Sequence, residues 1–246
     1  MKKLFAMIIF FVICFFPFQQ WTSTNSQKDI SYLLIIVNVE HPVIDHLPLN
    51  LVSANDLLAD DYAFYGDIKI DETLIAPLEN MAKAAQAEGV VGFQINSGYR
   101  NEIEQQQLYE EYGEMVALPA GSSEHQLGTA IDIGSVNGKM GDSVEYAWLK
   151  DNAHRYGFIL RYPQDAVEVT GIAFEPWHYR YVGLPHSYIM YENNWTLEKY
   201  VQNIQQQDIT YTLNDKTYHI HYSKQVPRNT LSLMMHNGGA ITVTTE

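Results

Sequence analysis

Three short segments hold most of the side chains in this sequence that could do chemistry. They are Ser123-Glu124-His125-Gln126-Leu127-Gly128-Thr129-Ala130-Ile131-Asp132, Glu175-Pro176-Trp177-His178, and Ser97-Gly98-Tyr99-Arg100. His125, His178 and Asp132 supply two imidazoles and a carboxylate, the donor set of a catalytic zinc site that keeps one coordination position open. Glu175 is a further carboxylate, free to act as a base. Gly128 permits a tight bend between His125 and Asp132, and Ala130 leaves room beside an ion. A buried His–Asp hydrogen bond would account for the first segment equally well. The second segment adds a reason to prefer a metal. With His178 as third ligand, Glu175 stands beside a metal-bound water rather than the metal, and Phe174, Trp177 and Tyr179 can desolvate it and raise its pKa. Imidazoles disfavour calcium. Two histidines and a carboxylate also suit non-haem iron, but a glutamate next to the third ligand tilts the chemistry toward hydrolysis.

These residues need elements to hold them. Ile30–Val39 is β-branched and apolar and reads as a strand or a packed extended arm, while 45–71 reads as a wrapping loop. Leu78, Met81, Ala82 and Ala85 recur at helical spacing before Gly89. Val90–Ile95 reads as a strand running into Arg100. Asn101 with Glu104 has capping-box spacing for a helix reaching Tyr112. Thr129–Ile133 is a strand carrying Asp132. A helix from Asp142 or Ser143 ends at Gly157, and Phe158–Tyr162 is the next strand. Thr196–Gln206 reads as a helix, and Ile209–Leu213 with Lys216–Tyr222 as a hairpin about Asn214-Asp215. Helices and strands mix without a βαβ rhythm, which predicts an α+β domain with an antiparallel or mixed central sheet flanked by helices.

The three segments resemble the D-alanyl-D-alanine carboxypeptidase family related to VanY, zinc peptidases of bacterial cell-wall metabolism. The signature S-x-H-x-x-G-x-A-x-D is met by Ser123, His125, Gly128, Ala130 and Asp132. E-x-W-H is met by Glu175, Trp177 and His178, and S-G-[YF]-R by Ser97 to Arg100. The resemblance spans roughly residues 30–184 and implies a Hedgehog/D,D-peptidase-like fold. It also implies one Zn2+ per chain on His125, Asp132 and His178, with Glu175 as catalytic base. Arg100 would then hold the substrate or its developing oxyanion, Ser123 the terminal carboxylate, and Trp177 a wall of the substrate site. The implied substrate is a peptidoglycan stem peptide or precursor ending in D-alanine. Alternatives are an L,D-carboxypeptidase acting on tetrapeptide stems, or a non-catalytic zinc-containing wall-binding protein.

At 246 residues the chain can fill one substantial core. Its net charge of -14 argues against a nucleic-acid partner. Met1-Lys2-Lys3 followed by the apolar run Leu4–Phe16 has the build of an export signal, with an uncleaved N-terminal membrane anchor as the alternative. The expected organisation is therefore a signal or anchor with linker over 1–28, a zinc carboxypeptidase domain over 29–195, and a helix-plus-hairpin extension over 196–246. The expected location is the outer face of the bacterial membrane or the wall. Cys14, the one cysteine, lies in the apolar run, so no disulfide staples the rest. His41, His46, His154, His186, His219 and His221 lack an acidic partner at ligand spacing. His154 is expected to favour a helix end through its charge.

Overall fold

The computed structural model describes residues 30–43, 49–114, 116–224, 232–236 and 239–246; the basic–apolar start, Cys14 and His46 lie outside the described residues. The first element is a two-residue strand, β1 (Ile30–Ser31). The strand expected through Val39 breaks at once, in a turn in which the Ile35 N–H donates to the Tyr32 carbonyl at 3.3 Å. The arm beyond β1 buries Leu34 in one apolar cluster and Ile35 and Val37 in another. The expected loop over 45–71 contains short elements: β2 (Leu51–Ser53), α1 (Ala54–Leu58), β3 (Ala63–Phe64) and β4 (Lys69–Asp71). None is long enough to show a hydrophobic period.

Helix α2 (Ile75–Ala87) buries Leu78, Met81, Ala82 and Ala85, the residues whose spacing predicts it. It is followed by β5 (Phe93–Ser97) and α3 (Glu102–Tyr112), which begins with the full Asn101–Glu104 capping box. Strand β6 (Ala130–Ser135) carries Asp132. Helix α4 (Val144–Asn152), N-capped by Ser143, continues through a 3-10 turn to Gly157. Strand β7 (Phe158–Leu160), the short α5 (Val167–Thr170) and β8 (His178–Tyr181) complete the part that holds the three segments.

The central sheet has the order β3-β5-β6-β8-β7; β3 lies parallel to β5 and the other pairs are antiparallel. This is the expected α+β architecture. Alternation along the strands sorts the side chains. Ile131, Ile133 and Tyr179 point into one apolar core with residues of α2 and α4, so Asp132 and His178 face the other way.

After β8 come α6 (His186–Asn193), α7 (Leu197–Gln206) and the strands β9 (Ile209–Leu213), β10 (Lys216–Ser223), β11 (Ser232–His236) and β12 (Gly239–Thr245). The β9–β10 hairpin turns on Asn214 and Asp215, both at positive φ (49° and 61°), as a two-residue loop that follows strand twist requires. Two further strands and β1 join this hairpin in a five-stranded sheet, order β1-β11-β12-β10-β9. Leu197, Tyr200, Val201, Ile204, Ile220 and Ile241 share one apolar cluster with Leu34, Ile159, Val182, Ile189 and Met190.

That shared cluster makes a prediction. Truncation after Asn194 would expose Ile159, Val182, Ile189 and Met190, and each buried aliphatic side chain is worth about 1.5–3 kcal/mol. Their sum rivals a domain's whole stability of about 5–15 kcal/mol. The truncated chain should show no cooperative thermal unfolding; a sharp transition by circular dichroism would mean that 196–246 is dispensable for folding.

Candidate active site

Sheet register brings the three segments together around Asp132. Asp132 on β6 is the direct cross-strand partner of His178 on β8, and Ser97 on β5 pairs with Asp132 from the other side. His125 arrives from a 3-10 turn, Glu124–Leu127, whose N-cap Ser123 accepts the His125 N–H at 3.3 Å. Gly128 ends the turn at φ 71°, a left-handed conformation that a side chain would strain. The His125 imidazole is then held by the Gly98 carbonyl, 2.7 Å from Nδ1. A carbonyl can only accept, so Nδ1 carries the proton and Nε2 is the bare nitrogen. Gly98 is required for close approach, because a Cβ there would run into the Lys69 carbonyl.

The result is a cluster of donors. His125 Nε2 lies 3.4 Å from Asp132 Oδ2, and His178 Nδ1 lies 3.2 Å from Asp132 Oδ1. Ligands about 2.1 Å from one tetrahedral ion sit roughly 3.4 Å apart, so the spacing fits. Apart from that contact with His178, the buried Asp132 Oδ1 has no hydrogen-bond partner, as suits an oxygen that takes a cation. His125, Asp132 and His178 can therefore hold a divalent metal.

Glu175 stands at the edge of this cluster, its Oε2 3.7 Å from His178 Nδ1. Its backbone N–H donates to the Tyr162 carbonyl and its own carbonyl accepts the His178 N–H, which ties the segment to β7 and β8. Burial raises the Glu175 pKa, with the Asp132 charge adding to the effect and His178 and Arg100 opposing it. Asp132 behaves differently. Burial works against its charge, but His125 and His178 outweigh that and hold its pKa well below the usual carboxylate range. Burial lowers the His125 pKa against the pull of Asp132. For His178 burial is outweighed by Asp132 and Glu124, and the pKa rises to about 9.

Arg100 is anchored rather than solvated. Its Nε donates to Gln105 Oε1 at 2.8 Å and its Nη1 to Ser97 Oγ, while the buried Gln105 is itself held by the Leu118 carbonyl. Burial lowers its pKa, with Asp132 and Glu175 opposing; a guanidinium remains a cation at neutral pH regardless. These groups line a cleft of about 590 Å³, together with Ser123, Tyr162, Ile172 and the half-exposed Trp177. All seven residues singled out in the sequence border it.

Sequence reasoning missed Gln105 and the buried ions Glu124, Arg161 and Arg180. The signal was present for the last two, since an arginine within Ile159-Leu160-Arg161-Tyr162 or His178-Tyr179-Arg180-Tyr181 interrupts an otherwise buried strand pattern. His154 differs from expectation. Burial together with Arg155 lowers its pKa to about 4, so it is neutral and stacks on Tyr191 with ring centroids 3.6 Å apart. His219 and His221 sit on the exposed hairpin near Glu246 and Asp208.

Coordination requires a bare Nδ1 on His178, whereas in the metal-free protein this imidazole keeps its extra proton up to about pH 9. A proton therefore competes with the metal below that pH. Divalent-metal affinity should rise about tenfold per pH unit from mild acid and level off above it, as chelator competition would measure. A flat profile would mean that His178 releases no proton.

The chain is similar to several known proteins. The family model described as "VanY: D-alanyl-D-alanine carboxypeptidase" matches residues 67–184. A D-alanyl-D-alanine carboxypeptidase of Enterococcus faecium is 42% identical over 210 residues, covering 83% of this chain and 69% of that protein. Among solved structures, the vancomycin-resistance D,D-dipeptidase VanXYg in complex with a D-Ala-D-Ala phosphinate analogue superimposes with a TM-score of 0.73 at 29% identity, covering 87% of this chain and 93% of the other. A variant of the vancomycin-resistance D,D-pentapeptidase VanY in complex with Zn(II) gives a TM-score of 0.57 at 32% identity, covering 69% and 98%. By its matched segment, its identity to a relative covered over two thirds of that protein's length and its fold, the chain belongs to the VanY family of D-alanyl-D-alanine carboxypeptidases.

Proposed function

We propose that this protein is a zinc-dependent D,D-carboxypeptidase that removes the C-terminal D-alanine from peptidoglycan stem peptides or their precursors. The observation that carries the reading is the convergence of two imidazoles and a buried carboxylate, their donor atoms within 4.8 Å of one another, beside a glutamate of raised pKa. One Zn2+ per chain would sit on His125 Nε2, Asp132 and His178 Nδ1. Bound there, zinc polarises the scissile carbonyl and makes a water nucleophilic near neutral pH.

The remaining work falls to the protein. The Glu175 carboxylate takes the proton of the attacking water and returns a proton to the nitrogen of the departing D-alanine. Its raised pKa suits both transfers, because a base that is too weak cannot take the proton and one that is too strong cannot give it back. Arg100 has Nε and one Nη1 hydrogen engaged with Gln105 and Ser97, so its remaining N–H groups are offered to anionic oxygens of the peptide end. The Ser123 oxygen accepts from the His125 N–H, which leaves its own proton for the terminal carboxylate. Trp177 gives the peptide an apolar wall. We assign 29–195 as the catalytic domain and 196–246 as an extension sharing its core. The basic–apolar start would carry the enzyme across the membrane to its substrate, as a cleaved signal or an anchor. Among the described residues no helix is long and apolar enough to cross a membrane.

The decisive assay is incubation of the protein with pentapeptide and tetrapeptide stems, with and without chelator, followed by mass measurement of the products. Metal-dependent loss of one alanine from the pentapeptide is expected; cleavage of the tetrapeptide alone would make it an L,D-carboxypeptidase. Glu175→Gln should lower kcat about 10²–10⁴-fold while retaining one zinc per chain, and activity within tenfold of wild type would remove Glu175 as the base. His178→Ala should bring zinc content well below one per chain. Unchanged metal by elemental analysis would exclude His178 as a ligand.

A further inference from the structure

Glu124 has no part in the steps above, yet it is the most completely enclosed carboxylate beside the site, with its side chain at 0% exposure. Its Oε1 receives Arg161 Nε at 2.8 Å and lies 2.9 Å from Arg180 Nη1. Its Oε2 lies 3.4 Å from His178 Nε2. Each guanidinium is clamped a second time. Arg161 reaches Glu198 on α7 through both terminal nitrogens, and Arg180 Nη2 donates to the carbonyls of Leu33 and Ile35 in the N-terminal arm. Oε1 is thus pinned between two cations, and Oε2 is left to face the imidazole.

The chemistry of that contact has a direction. A carboxylate held by two arginines is ionised and can only accept, so the His178 nitrogen facing it must carry a proton. That nitrogen is Nε2, and the other one, Nδ1, faces Asp132 and Glu175. The opposite tautomer would aim an N–H at the metal position and prevent coordination. His125 meets the same need with a backbone carbonyl at Nδ1, which leaves Nε2 bare. The Tyr162 ring, 4.9 Å from that of His178 centroid to centroid, limits rotation of the imidazole plane.

We propose that Glu124 is a positioning residue that accepts the Nε2–H of His178 and so sets the tautomer and aim of that ligand. Arg161 and Arg180, themselves clamped by the C-terminal extension and the N-terminal arm, hold Glu124 in place. Carboxylates that orient metal-bound histidines in this way typically change metal affinity 10–100-fold when removed. The inference rests on the reading of His178 as a zinc ligand and extends it.

Glu124→Gln is a sharp probe because the amide has two unlike ends. The two guanidinia demand its oxygen, which turns the NH2 toward His178; that group donates, so Nε2 must accept and the proton moves to Nδ1. The full chain, labelled with 15N in histidine, is loaded with zinc and its imidazole shifts are recorded, while chelator competition gives the zinc dissociation constant. Expected are a wild-type His178 with Nδ1 bound to zinc and a protected, hydrogen-bonded Nε2–H, and a dissociation constant about 10–100-fold higher in Glu124→Gln. Glu124→Asp, which keeps the charge, should fall between the two. A wild-type His178 bound through Nε2, or carrying a freely exchanging Nε2–H, overturns the proposal. So does a folded Glu124→Gln whose dissociation constant stays within about threefold of wild type. Should Glu124→Gln not fold, the wild-type spectrum alone decides. A wild-type chain that binds no zinc defeats the hydrolase reading itself, an outcome distinct from zinc bound with the wrong tautomer.

Discussion

The pairing of Asp132 with His178 across β6 and β8 is the constraint on which the site depends. Side chains alternate along a strand, so a one-residue slip would turn either group into the core and bring an isoleucine or tyrosine into the cleft. The register resists such a slip because Ile131, Ile133 and Tyr179 are fully buried on the opposite face. The same apolar packing that stabilises the sheet therefore also aims the donors. His125 depends on the sheet at one remove, since the Gly98 carbonyl that orients it lies in the turn just after β5.

Three carboxylates lie around one imidazole, and their surroundings give them different properties. Asp132 lies between two imidazoles and is kept charged despite its burial. Glu124 is buried still more completely, but Arg161 and Arg180, with His178, outweigh the desolvation and hold its pKa well below the usual range. Glu175 meets His178 only at 3.7 Å, and burial outweighs that attraction and raises its pKa. Separation of this kind lets one small site hold, at the same pH, a permanent anion, a carboxylate able to take a metal ion and a carboxylate able to carry a proton. The isolated buried charge would be costly; the network avoids that cost by pairing every member.

The N- and C-terminal parts of the described chain also reach the site. Arg180 ties the arm at Leu33 and Ile35 to Glu124, and Arg161 ties α7 to it through Glu198. These contacts run alongside the apolar cluster that joins α6, α7 and the five-stranded sheet to Ile159 and Val182. The segment beyond 196 is thus in contact with the framework of the cleft, although its sequence reads as an addition.

What could be read from the residues in order was whatever depends on near neighbours. The capping box at Asn101, the helical spacing of α2, the two-residue turn at Asn214-Asp215 and the donor types at His125, Asp132, Glu175 and His178 all lie within short stretches. Short elements such as β2 and α1 escaped because they complete less than one clear period. β11 and β12 escaped because they are recognised as sheet only by pairing with β10 and with the distant β1. Which nitrogen of each histidine is bare, which acid is kept charged and which is raised were decided only by tertiary structure. Those properties arise from groups 37 and 54 residues apart along the chain, such as Glu124 with Arg161 and with His178. An imidazole's tautomer and a carboxylate's charge follow the field at one point in space, and only folding brings the sources of that field together.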